Sequence, residues 1–184
     1  MIKKTKIGEN QLKIAIIYTT KGGTTRECAH LLQRELKGQD VTVLDMKDAA
    51  KIDGYDTVVI GFPIRMARMS KAARRYVKEH KGELMAKKVA YFMCCGFIDC
   101  ADEYAEKILP RELSGRALAV TCLGGSLEPA RFKGLDKLIV RSVRSEILGG
   151  GNNGEQRDDM SLPTILDENI FQLANVIKRQ IQIN

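Results

Sequence analysis

Seven consecutive residues, Thr19, Thr20, Lys21, Gly22, Gly23, Thr24 and Thr25, set four hydroxyls, two glycines and one cation between an apolar run and a helical one. A helix start offers backbone N–H groups that have no intrahelical partner, together with the positive end of the helix dipole. Glycines let the backbone approach an anion closely and take up turn conformations closed to other residues. The threonine hydroxyls add donors and the lysine a positive charge, so the chemistry open to this loop is holding a phosphate. A nucleoside-triphosphate loop would end in Gly-Lys-Ser/Thr to reach the outer phosphates and magnesium, whereas here the chain runs on through Thr25, Arg26 and Glu27. No Gly-x-Gly-x-x-Gly follows the apolar run, so a dinucleotide fingerprint is missing too. One terminal phosphate fits the loop best. A plain capped turn is the alternative reading of the same residues.

Other reactive groups are sparse. His30 and His80 are the only histidines, far apart in sequence, and give a metal site or a catalytic triad little to build on. Five cysteines without a Cys-x-x-Cys pair suit a reduced, cytoplasmic compartment better than disulfides or a metal cluster. Cys94, Cys95 and Cys100 read as buried inert thiols, with electron exchange as the alternative. The net charge of +7 is concentrated. Residues 62–90 hold Arg65, Arg68, Lys71, Arg74, Arg75, Lys78, Lys81, Lys87 and Lys88 against Glu79 and Glu83, and the remainder is neutral overall. Such an excess attracts an anionic small molecule, an acidic protein or an anionic membrane face, or is simply a solvated helix surface. Nucleic acid is not among the expected partners.

The elements that must position the loop follow from periodicity. Short apolar runs rich in β-branched residues at 13–18, 41–44, 57–61, 89–94 and 117–123 read as buried strands. Helical spacing appears at 26–36, after Ser70 as a cap, around 102–109, and in a C-terminal stretch behind Asp167 as a cap. Alternation of this kind implies a parallel sheet wound by right-handed crossovers, with ligands beyond the carboxyl ends of the strands. The chain is therefore expected to form one α/β domain over residues 1–184, its five-stranded parallel sheet ordered 2-1-3-4-5. Residues 124–163 exceed an ordinary strand-to-helix connection and read as an insertion after strand five. Within it, 131–147 has the spacing of a basic amphipathic helix, suited to packing on its own domain or to peripheral contact with a membrane.

With the loop Thr19 to Thr25 behind its first strand, the chain resembles the flavodoxin superfamily, whose members hold FMN by its phosphate in such a loop. The resemblance implies that loops after the third and fourth strands flank the flavin ring. Those positions are Pro63, Ile64, Arg65 and Met66, behind Phe62, and Cys95, Gly96 and Phe97, ahead of Ile98. A guanidinium at Arg65 would stabilise negative charge developing on the ring. Within the superfamily the chain is similar to the bacterial menaquinone-dependent protoporphyrinogen oxidase group. The likeness lies in Val59-Ile60-Gly61 with Ile64 and Arg65, Tyr76-Val77-Lys78 with His80, Tyr104-Ala105 with Lys107, and Leu135 to Ile139. It departs from that group at 124–134, where a tyrosine and tryptophan cluster is missing. The resemblance implies an FMN-dependent oxidoreductase with a quinone or another redox partner as acceptor, at the inner membrane face if peripheral. Its alternative is a flavodoxin-type electron carrier with no organic substrate of its own.

Overall fold

The structure is a computed structural model that describes residues 11–48, 51–96, 107–147 and 162–180. Five strands pair in parallel in the order β2-β1-β3-β5-β6: β1 Lys13–Tyr18, β2 Asp40–Asp45, β3 Thr57–Arg65, β5 Lys88–Cys94 and β6 Val120–Cys122. This is the expected order, with one short strand added. The two residues of β4, Arg68–Met69, turn back antiparallel on the end of β3. In register, Tyr18 lies opposite Gly61 and Pro63 opposite Cys94, so the strand ends that matter stand side by side. β6 is shorter than the 117–123 expected, yet the ladder continues at its flanks, through Leu118 N to Val89 O (2.7 Å) and Leu123 N to Met93 O (2.9 Å).

Successive residues of a strand point to opposite faces, and two cores result. Ile14, Ile16 and Tyr18 of β1 join Cys28, Ala29 and Leu32 of α1 Thr24–Glu35 and Ile170, Leu173 and Ile177 of α6 Asp167–Arg179. Ala15 and Ile17 join Ala73, Tyr76 and Val77 of α2 Lys71–Glu79, and Leu84 of α3 Lys81–Met85. A short α4, Arg111–Ser114, adds Leu113 to this second core. Each crossover helix thus buries one apolar stripe, as the helical spacing requires.

Two boundaries differ from expectation. Ser70 does cap α2, accepting from Ala73 N at 3.3 Å, but Asp167 does not cap α6. Leu166 is the capping residue there, and Asp167 with Glu168 falls in the first turn, where a carboxylate suits the helix dipole. The helix expected over 131–147 begins only at Gly134. Pro129–Arg131 forms a 3-10 turn, Phe132 is extended, and Gly134 turns the chain with φ 56 into α5, Gly134–Ile147. Of the helix expected over 102–109, residues 102–106 lie outside the described residues, and Lys107 and Ile108 are helical. Residues 148–161 of the expected insertion also lie outside. No helix among the described residues is long and apolar enough to cross a membrane.

Candidate functional site

The carboxyl ends of β1, β3 and β5 and the start of α1 meet around one cavity. Thr19 N donates to Gly61 O across β1 and β3 (3.0 Å), which fixes where the loop leaves the sheet. Thr20 Oγ1 accepts from Gly23 N at 2.9 Å and closes the turn, and Gly23 takes φ 88, a conformation glycine adopts at little cost. No side chain caps α1. The first-turn N–H groups of Thr24, Thr25 and Arg26 therefore have neither an intrahelical nor a capping partner. Thr25 is 1% exposed and its hydroxyl meets the Cys94 thiol, so its contribution to a ligand is its backbone N–H.

One cavity of about 100 Å³ gathers most of the residues singled out from the sequence: Thr20, Lys21, Gly22, Thr24 and Thr25 from the loop, Pro63, Ile64 and Arg65 from the end of β3, and Cys95 and Gly96 after β5. Thr19 lines a separate groove with Met46, Lys47, Tyr76 and His80. Gly23 shapes the loop without lining the cavity. Met66 stands outside it, 89% exposed at the tip of the β3–β4 turn. Phe97 and Ile98 lie outside the described residues.

What the insertion supplies to the cavity is unmarked in the sequence. Ser126, Leu127, Phe132 and Val140 form the cavity's outer wall, and Gly125 sits where a Cβ would fall 2.5 Å from Cys95 O. Asp136, in the first turn of α5, binds Arg65 Nη2 at 2.5 Å and Lys21 Nζ at 3.2 Å. The Arg65 hydrogen bond, then that of Lys21, holds its carboxyl down at about 2. The only signal for Asp136 in the sequence was an acidic residue beginning a basic helix, a position the helix dipole explains equally well.

The thiols beneath the site are buried. Cys94 Sγ lies 3.7 Å from Cys28 Sγ, and this contact first, burial second, pushes the Cys94 thiol well above its ordinary range. Burial also raises Cys122. Groups so disfavoured as thiolates make poor nucleophiles. Among the described residues no cluster of histidine, cysteine and carboxylate is fit to hold a metal. The donor set of the loop is N–H groups, hydroxyls and one ammonium, with no carboxylate of its own, and this fits a monophosphate.

The chain is similar to known proteins over most of its length. It is 24% identical over 161 residues to the protoporphyrinogen IX dehydrogenase [quinone] of Escherichia coli strain K12, covering 80% of this chain and 86% of that one. It is 27% identical over 180 residues to the flavodoxin of Trichodesmium erythraeum, covering 93% and 99%. Among solved structures, a short-chain flavodoxin associated with a non-canonical PDU bacterial microcompartment superposes with a TM-score of 0.56 at 13% identity, over 93% of this chain and 99% of that one. The chain spans 37% of the rubredoxin oxygen:oxidoreductase of the anaerobe Desulfovibrio gigas, with a TM-score of 0.52 at 14% identity over 95% of its own length. The flavodoxin domain profile matches residues 15–152. The strand order, the phosphate-type loop behind β1 and this match agree, and the chain belongs to the flavodoxin domain family.

Proposed function

We propose that this chain is an FMN-dependent oxidoreductase that takes electrons from a reduced organic substrate of the carboxylate-bearing porphyrinogen class and passes them to a quinone-like acceptor. The observation that carries the reading is the uncapped start of α1 opening on one cavity with the ends of β3 and β5. When bound, the flavin supplies the redox chemistry. The chain's own residues bind and orient. The first-turn N–H groups of α1, with Thr20, Thr24 and Lys21, hold the phosphate. Pro63, Ile64, Cys95 and Gly96 wall the ring, and Arg65 brings positive charge to it, tempered by Asp136. The cations Arg68, Arg74 and Arg75, all exposed, favour an anionic substrate. The exposed apolar residues of α5 suit peripheral contact with the membrane in which a quinone dissolves.

The similarity to the Escherichia coli dehydrogenase supports this reading. The similarity to the Trichodesmium flavodoxin favours a second one, an electron carrier without an organic substrate. Purified protein should show flavin absorbance and release FMN on denaturation; protein that stays colourless after incubation with FMN would mean a domain that has lost its cofactor. With flavin in place, stopped-flow oxidation by menaquinone analogues outpacing reduction by a flavodoxin reductase supports the oxidase. The reverse order supports the carrier.

A further inference from the structure

Three contacts tie residues 128–140 across the phosphate loop. Asp136 spans Lys21 and Arg65, as described. Arg131 Nη1 binds Glu27 Oε2 on α1 at 2.6 Å while its Nε holds Glu128 Oε2 at 3.2 Å. The Phe132 ring lies so close over Gly22 that a Cβ there would fall 2.5 Å from it. The space left beneath is about 100 Å³, against the roughly 300–1,000 Å³ of ordinary small-molecule sites. In this arrangement the seat is shut by the chain itself.

The closing segment is anchored at its base and held over the seat by partly exposed pairs. At its base, Gly124 bridges to Ile165 with φ 77, and a Cβ there would fall 2.0 Å from Thr164 O, so that end is fixed. At its middle, Gly134 takes φ 56, in the left-handed region that favours glycine, and nothing lies within 4 Å of the place a Cβ would occupy, so no neighbour packs on that turn. The ion pairs that hold it are partly exposed, and exposed pairs are the weak kind. Among the described residues, Asp136 is the one carboxylate paired with the cavity's two cations. At Lys21 the Asp136 carboxylate makes the charge-assisted hydrogen bond that a phosphate would make there, and at Arg65 it occupies the cation that would face the ring.

We propose that residues 129–140 form a strap that closes the cofactor seat in the flavin-free chain, and that Asp136 is an internal anion which a phosphate-bearing ligand must displace from Lys21 and Arg65. The inference rests on the FMN reading above. A seat that is open only part of the time binds with an affinity lowered by that fraction, so weakening the strap raises the apparent affinity.

The experiment uses the full chain stripped of flavin, with quenching of flavin fluorescence as readout and riboflavin as the phosphate-free probe. Asp136→Asn keeps the shape and removes the charge. It should raise the apparent affinity for FMN by about tenfold, with a smaller gain for riboflavin. Arg131→Ala loosens the strap without touching the seat, and should raise affinity for both ligands alike. Amide hydrogen exchange over 129–140 should speed up in both variants before any ligand is added. FMN bound no more tightly by Asp136→Asn, or an equal gain for riboflavin in that variant, overturns the strap while leaving the cofactor assignment standing. If parent and variants alike leave FMN free in solution, the cofactor assignment falls and the strap with it.

Discussion

Asp136 keeps its charge well into acid because two cations face it. Its carboxyl is lowered from an ordinary 3.8 to about 2, first by the Arg65 hydrogen bond and then by that of Lys21. For a depressed carboxyl the stabilising pairing is fully present above the unperturbed value and is lost as pH falls through the folded one. Closure through Asp136 is therefore insensitive to pH around neutrality and fails only in acid. Carbon NMR of the side-chain carboxyl should give a midpoint at about 2, moving toward 3.8 when Arg65 and Lys21 are both replaced by alanine; an unmoved midpoint would contradict the pairing. Cys94 is the opposite case, a group kept uncharged. Its thiol is raised by contact with Cys28 and by burial, and Cys28 is itself fully buried, so native protein should resist iodoacetamide at both and react there only once denatured. Mass spectrometry of the alkylated peptides reads this directly. The loop Thr19 to Thr25 was legible in the sequence because its donors are consecutive and the helix behind them is local. Asp136 was not, because it lies 115 residues beyond its partner Lys21 and no local pattern marks a residue that acts across that separation.

At the scale of elements, the turn between β3 and β4 stands out. Met66 and Ala67 both take positive φ, 48 and 56, which a two-residue hairpin turn demands and which Asn-Gly supplies most cheaply. A left-handed conformation costs an ordinary L residue roughly 1–2 kcal/mol. Replacing the pair by Asn-Gly should raise the unfolding free energy by about 1–2 kcal/mol at an unchanged denaturant slope. A shift of the midpoint in the other direction would mean that the Met66 and Ala67 side chains contribute more than their strain costs. The same turn explains why β3 runs to Arg65 when its apolar pattern reads as ending at Gly61: β4 returns on it through Ile64 and Met69, and no Gly, Asn or Asp between them signals a hairpin. The five parallel strands were legible because a strand buried on both faces is a continuous apolar run. The start of α5 was not, since the apolar spacing continues through Phe132, whose extended backbone turns its ring onto Gly22 instead of into a helix stripe.

For the molecule as a whole, the basic excess over 62–90 divides into two parts. Arg65 pairs with Asp136, Arg75 with Glu79 (2.8 Å) and Lys81 with Glu112 (3.4 Å), while Lys87 donates to the carbonyls of Asp53 (3.1 Å) and Tyr55 (2.8 Å) and Lys88 to that of Gln180 (3.5 Å). Arg68, Lys71, Arg74 and Lys78 are exposed and pair with no carboxylate among the described residues, Arg74 donating only to Met69 O (3.3 Å), and they set the sign of the field that reaches solvent. The Arg65–Asp136 pair brings together two chain segments whose neighbouring residues are apolar and exposed: Met66 on one, Leu135 on the other, with Leu138 and Ile139 following along α5. Apolar residues at the mouth of the candidate site, beside a positive field, match an anionic lipid surface. The full chain should therefore sediment with vesicles containing phosphatidylserine and stay in solution with purely zwitterionic ones, and added salt should weaken the association. Transferring a leucine side chain out of water is worth roughly 1.5–3 kcal/mol, so Leu135→Gln with Leu138→Gln should cut vesicle binding by at least about tenfold at every salt concentration. Leu135 and Leu138 are 78% and 59% exposed and neither lines the cavity, so that double variant should retain the parent's affinity for FMN. Vesicle binding that survives the double variant, or that ignores salt, would remove α5 from the membrane and leave the apolar stripe to a protein partner.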